Sequence, residues 1–152
     1  MSIKIVEGNV VDAVLKGECH FMLHISNAQK VMGSGVAKEV KERIPSAYTN
    51  YMEKPKNVPN ISFSDNLNCV NLTAQQYYGY DRKRYLKYDW LIHCLFALVD
   101  YDFELQDNFD TGNLKIAIPY LMGCDRAGGD WETVCEILRA FLGHHEIIAY
   151  KL

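Results

Sequence analysis

The stretch His24–Val40, HISNAQKVMGSGVAKEV, decides the fold: an apolar strand ends, a polar loop follows, and a glycine pair opens a helix. Gly33 and Gly35 flank Ser34, and without a Cβ on either the backbone turns sharply and approaches a ligand closely. Val36, Ala37, Val40 and Ile44 recur at helical spacing while Lys38, Glu39, Lys41 and Glu42 take the other face, which predicts an amphipathic helix beginning near Ser34. The bare N–H groups and positive dipole end of such a helix favour phosphate. An isolated short glycine motif is equally a plain strand-to-helix turn, so the rest of the chain decides between the two.

Upstream, Cys19–Ile25 (CHFMLHI) is a continuous apolar run of strand length, as in a central parallel strand buried on both faces. His24 falls at its C-terminal end, where open α/β sheets hold ligands, and an imidazole there can act as proton donor, base or nucleophile. A lone histidine in an apolar strand is more often a hydrogen-bonded core residue; the anion loop directly after it points toward function. Ile3, Ile5 and Val6 make a first short strand ending at Glu7-Gly8-Asn9, and Val10–Leu15 reads as a short helix or an extended crossing. An amide at Asn9 suits a base edge, but Asn beside Gly is also a common turn residue.

Downstream, a second helix is predicted from a serine cap over Ser46–Met52, then a proline-containing loop over Glu53–Asn60, and strands at Ile61–Phe63 and Asn68–Thr73. The tyrosine-rich loop Ala74–Lys83 either covers a ligand or simply connects. Tyr85–Val99 predicts the longest helix, with His93 on its packed flank, and the acidic Asp100–Gly112 predicts a loop or frayed helix tail. Lys115–Leu121 is another buried-strand run, and it meets a second glycine-rich loop, Met122–Trp131. Asp130 then caps an amphipathic helix, Trp131–Leu142, closed by Gly143, and Glu146–Lys151 is a last strand. Two strands thus each end in a glycine-rich loop that opens a helix, and two such loops side by side can hold a diphosphate. The alternation of β and α elements predicts an α/β sandwich with a mostly parallel sheet.

At 152 residues and 17.4 kDa, one domain spanning 1–152 is expected. The 49% hydrophobic and 23% charged fractions are ordinary, and no apolar run approaches the ~20 residues of a bilayer span. MSIKIVEGNV lacks the pattern of a signal peptide. Cys19, Cys69, Cys94, Cys124 and Cys135 are odd in number, widely spread and without CxxC spacing, so they read as reduced thiols of a cytoplasmic protein, with no metal site. A net charge of −3 and no basic block longer than Asp81-Arg82-Lys83-Arg84 argue against a broad nucleic-acid footprint. Local backbone dipoles can still bind a phosphorylated ligand.

VEGNV, HISNAQKVMGSGVA, RIPSAYTNYME, YGYDRKRYLKYDWL, IPYLMGCDRAGGDWETV and IIAYKL, in that order and spacing, resemble the macro domains, and among them the small ADP-ribose-1''-phosphate phosphatases. The resemblance implies a three-layer α/β/α sandwich around a mixed, mostly parallel sheet, binding ADP-ribose or ADP-ribose-1''-phosphate with no cofactor. It implies Asn9, with Val10, and Tyr150 near the adenine, Asn27 near the distal ribose, and Met32, Gly33, Ser34, Gly35 and Val36 around the diphosphate. Gly123, Cys124, Asp125, Arg126 and Ala127 would form the second phosphate loop. His24 matches the histidine implicated in phosphatase catalysis, and Asp125, or less simply the cap residue Asp130, would activate water or orient the imidazole. Related sequences carry Gly-Cys-Gly where this chain has Gly123-Cys124-Asp125, so a carboxylate stands where glycine is common. A related branch that removes ADP-ribose from protein glutamates uses a lysine where this chain has Ala74 and Gln75, so the sequence does not support a covalent lysine mechanism. The alternatives are a non-enzymatic ADP-ribose reader and a hydrolase freeing ADP-ribose from a modified protein or nucleic acid.

Overall fold

A computed structural model describes residues 3–55, 58–78, 85–124 and 127–152. The elements run β1 (Lys4–Glu7), α1 (Val10–Leu15), β2 (Phe21–Asn27), α2 (Gly35–Arg43), α3 (Pro45–Glu53), β3 (Asn60–Phe63), β4 (Cys69–Gln75), α4 (Tyr88–Val99), α5 (Asp102–Phe109), β5 (Lys115–Pro119), α6 (Trp131–Leu142) and β6 (Glu146–Lys151). All six strands join one sheet in the order β1-β6-β5-β2-β4-β3, parallel except for β3 on β4. One apolar layer, with Val10, Val11, Val14, Val40, Ile44 and Ala47, packs α1 to α3 on one sheet face. The other, with Leu91, Leu95, Leu98, Leu105, Val134 and Leu138, packs α4 to α6 on the opposite face. This is the expected three-layer α/β/α sandwich with a mixed, mostly parallel sheet. No helix among the described residues is long and apolar enough to cross a membrane.

The strand order positions the site. From β2 the chain passes through α2 and α3 toward β4 and β3, whereas from β5 it passes through α6 to β6 on the other side. β2 and β5 are neighbours whose connections leave in opposite directions, so their C-terminal ends part and leave a crevice.

Three local expectations are corrected. The acidic Asp100–Gly112 stretch holds a true helix, α5, because Leu105 is buried against the core and Asp110 closes the helix in the left-handed conformation, φ 52°. The second helix begins with Pro45 in its first turn, where a missing N–H costs nothing, and Ser46 Oγ instead accepts from Asp65 N at 2.9 Å. The helix expected to be longest begins at Tyr88, since Leu86 is drawn into a β-bridge with Gln75, and its 12 residues equal those of α6. The open choice at Val10–Leu15 resolves as a helix, with Val10, Val11, Ala13 and Val14 buried.

Candidate functional site

A cleft of about 650 Å³ lies at the switch point, lined from β2 and its loop by His24, Ile25, Asn27, Val31 and Gly33–Gly35. Val36, Ala37 and Glu39 of α2, Gln75 and Tyr78 beyond β4, Pro119–Gly123 and Ala127 beyond β5, and Leu152 complete it among the described residues. The two glycine-rich loops thus share one cavity.

The first loop is pinned at its root and open at its tip. Asn27 clasps Val31 in both directions, Nδ2 donating to the carbonyl at 3.0 Å and Oδ1 accepting the N–H at 3.3 Å. The Tyr51 hydroxyl donates to the Asn27 carbonyl, and the Lys30 ammonium donates to the carbonyl of Tyr51. Gly33, Ser34 and Gly35 then stand exposed, and Gly35 takes φ +58°, a left-handed turn at the head of α2.

The second loop is braced at its described residues. Met122 N bonds Pro119 O, Cys124 N bonds Leu121 O, and Gly129 N bonds Gly123 O at 2.9 Å. A Cβ on Gly129 would lie 2.6 Å from that same carbonyl, so two strands of the loop touch backbone to backbone. The Tyr85 and Leu86 amides both donate to Ala127 O. Asp130 is the N-cap of α6, with Oδ2 accepting from Thr133 N at 3.0 Å and from Thr133 Oγ1 at 2.9 Å, and these bonds hold its carboxyl below the usual range. The N-terminus of α6 therefore already has its anion, and Asp130 does not line the cleft.

His24 is 3% exposed, and its Nε2 lies 2.5 Å from Asn71 Oδ1. Asn71 Nδ2 donates to Ala47 O and Ser62 Oγ, both at 3.0 Å; a carbonyl only accepts, so the oxygen end of Asn71 faces the imidazole. His24 must donate from Nε2, which leaves the lone pair on Nδ1. Burial lowers its pKa to about 4 against a smaller upward pull from Asn71, so the ring is neutral at pH 7.

Of the residues implied by the resemblance, His24, Asn27, Gly33, Ser34, Gly35, Val36, Gly123 and Ala127 line the cleft. Asn9, Val10, Met32, Cys124 and Tyr150 are not part of that lining. Asn9 is the N-cap of α1, its Oδ1 accepting from Val11 N and Asp12 N, and its Nδ2 donates to Glu39. Val10 and Met32 are core residues. Tyr150 is buried with its hydroxyl on Cys19 Sγ and Glu18. The Cys124 thiol donates to Met122 O, and burial pushes it up to about 12. Asp125 and Arg126 lie outside the described residues, as do Gly79–Lys83 of the tyrosine-rich loop.

Sequence reasoning missed Glu39, Gln75, Tyr120 and Leu152. For Tyr120 and Leu152 the signal was position, since Tyr120 follows β5 at the switch point and Leu152 follows β6, the strand beside it. Gln75 was visible as the residue paired with Asn27, the strand end beside the loop, once the register is known. Glu39 was assigned to the solvent face by helical period.

Asp102, His144 and His145 bring their donor atoms within 4.8 Å of one another. His145 Nδ1 accepts from Leu114 N at 3.2 Å, so its Nε2 carries the proton that meets Asp102 at 2.8 Å. A metal needs a lone pair at that nitrogen and a proton on Nδ1, the reverse of this arrangement, so the trio clamps α5 to the end of α6.

No protein-family model and no curated protein sequence matches the chain. Solved structures do. A Bacteroides thetaiotaomicron protein of unknown function superposes with a TM-score of 0.77 at 18% identity, over 100% of this chain and 99% of that one. The macrodomain of Thermus aquaticus DarG gives 0.71 at 22%, over 99% and 98%. The fold is that of the macrodomains. Thermosipho africanus DarTG, solved in complex with ADP-ribose, carries the same macrodomain fold in part of its length, with a TM-score of 0.64 at 16% identity over 100% of this chain and 43% of that one.

Proposed function

We propose that the cleft binds ADP-ribose through its diphosphate, and that the protein hydrolyses the terminal phosphate of ADP-ribose-1''-phosphate. The observation that carries the binding is the exposed Gly33–Gly35 turn at the head of α2, sharing one cavity with Gly123 and Ala127 at the switch point. Backbone amides and a positive helix end suit phosphate oxygens, and the overall charge of −3 does not oppose them because the field is local. Thermosipho africanus DarTG, which carries this fold over part of its length and was solved in complex with ADP-ribose, supports the choice of diphosphate ligand.

In the proposed reaction water attacks phosphorus, the bond from phosphorus to the ribose oxygen breaks, and a proton passes to that oxygen. Positioning by backbone amides supplies most of the rate. Asp125 is the proposed activator of water, on the resemblance alone. A neutral His24 with Nε2–H committed to Asn71 has only Nδ1 to offer, and a base working from about 4 is weak. We assign His24 to holding the cleft wall rather than to donating a proton. That same network favours the second reading, a reader that binds ADP-ribose without cleaving it.

The test has two arms. Calorimetry with ADP-ribose is expected to show binding that Gly33→Asp weakens by about 100-fold or more, a carboxylate having been set among the phosphate amides. Phosphate release from ADP-ribose-1''-phosphate, retained within about tenfold in His24→Gln, supports the phosphatase with His24 as wall. Binding without release leaves the reader, and no binding by the unaltered protein overturns the proposal.

A further inference from the structure

We infer that the last turn of α4 and the first turn of α5 dock a basic amphipathic polypeptide segment, at the end of the sandwich opposite the cleft. The inference is independent of what the cleft binds. Phe103 is 86% exposed and Phe96 61%, and Val99, one turn beyond Phe96, is exposed as well. Phe96 meets Phe141 of α6 edge to face, ring centroids 4.9 Å apart, and Asp102, next to Phe103, reaches His144 and His145 just past the end of α6. These apolar side chains therefore gather at one corner, where α4, α5 and α6 meet. Single exposed hydrophobic residues are ordinary, whereas a group of aromatic rings at one place marks an interaction surface. The corner is remote from the cleft. His20, just before β2, packs its ring on Phe109 of α5 at 5.4 Å, so α5 lies at the N-terminal ends of the strands and the cleft at their C-terminal ends.

Charge identifies the occupant. From Tyr88 to Leu114 the chain carries six carboxylates, Asp89, Asp100, Asp102, Glu104, Asp107 and Asp110, and no lysine or arginine, whereas the rest of it is net positive. Asp102 is matched by His144 and His145. Asp100, Glu104, Asp107 and Asp110 are exposed, and no ion pair among the described residues reaches them. Two of them stand where a helix favours the opposite charge. Asp100 and Asp110 are the C-caps of α4 and α5, neither helix has a basic residue in its last turn, and the negative dipole end of a helix is stabilised by a cation. A lysine or arginine from a partner supplies it. A second copy of this chain, related by a twofold axis, would set carboxylate against carboxylate, and a phospholipid surface would bring its own negative charge to the same groups. A helix with an apolar stripe and a basic flank satisfies the rings and the carboxylates together.

The probe is a fluorescently labelled amphipathic helical peptide of leucine and lysine, about 15 residues long, followed by anisotropy. Saturable one-to-one binding is expected. Phe103→Ser is expected to weaken it by about tenfold or more, and the charge reversal Asp100→Lys with Glu104→Lys by a similar factor and with a shallower dependence on salt. All three positions are exposed, and matched thermal midpoints show that the variants are folded. A peptide of serine and lysine and one of leucine and glutamate are each expected to bind at least about tenfold more weakly. Absence of binding, binding that neither variant changes, or equal binding of the serine and lysine peptide overturns the inference. A dimer of the unaltered protein that sedimentation detects and Phe103→Ser dissolves also overturns it, by assigning the corner to a second copy. Capture by phosphatidylserine vesicles that the same variant abolishes overturns it in favour of a lipid surface.

Discussion

The loop after β2 and the loop after β5 meet in one cleft but reach it by different means. The first spends its hydrogen bonds at the root, on the Asn27 clasp and the Tyr51 hydroxyl, and leaves Gly33–Gly35 exposed at the head of α2. The second ties turn to turn, packs Gly129 onto the Gly123 carbonyl, and caps the start of α6 with the carboxylate of Asp130. A similar density of glycine therefore serves two ends. In one loop glycine makes an exposed turn at the head of a helix, where the proposed ligand would place its phosphates, and in the other it lets backbone pack on backbone. The second loop shapes the cleft with Gly123 and Ala127, while the helix dipole it leads into is already spent.

The largest effect is expected at the strand that carries the first loop. His24 has a folded pKa of about 4 against 6.5 when free, so its contribution is fully present above 6.5 and is lost as pH falls through about 4. A displacement of that size is worth roughly 3 kcal/mol. In denaturant titrations, His24→Gln, which keeps a donor toward Asn71, should flatten the loss of stability between those two pH values. An identical acid profile in the variant would show that the ring titrates freely and that the root of the first loop is not sealed.

Next comes the glycine contrast itself. Gly129→Ala forces a Cβ to 2.6 Å from a backbone carbonyl and 2.8 Å from Leu86 Cδ2, and should destabilise by about 1–3 kcal/mol. Gly35→Ala meets nothing within 4 Å and bears only its left-handed backbone, about 1 kcal/mol. Urea midpoints for the pair in the reverse order would break the distinction between a packed loop and an open one.

The smallest effect is expected at Asp130→Ala. Loss of the cap on α6 should lower the thermal midpoint modestly, with ADP-ribose affinity unchanged within about twofold. A large loss of affinity would place the N-terminus of α6 among the ligand-binding groups after all.

Much of the fold was legible in the chain because burial writes itself into apolar runs. CHFMLHI and KIAIPYL read as buried parallel strands, and the Asp130 cap with the stripe through Trp131–Leu142 gave α6 its bounds. Local pattern failed where a distant partner outvoted it. The acidic stretch around α5 looked solvated, yet Leu105 anchors it to the core and Asp102 meets His145 from the far end of α6. Leu86 left the long helix for a bridge to Gln75.

Sequence alone determined the strand-loop-helix units, the glycine positions and the residue types beside them, since each depends on periodicity and backbone freedom within a few residues. Only the tertiary structure decided which of those residues share the cleft. The tertiary fold sets β2 beside β5, brings the Asn9 amide onto Glu39, and commits the His24 proton to Asn71, and each of these pairings joins residues at least 30 positions apart. Hydrogen-bond partners at that separation follow from how the sheet is ordered, and no local pattern in a chain encodes that order.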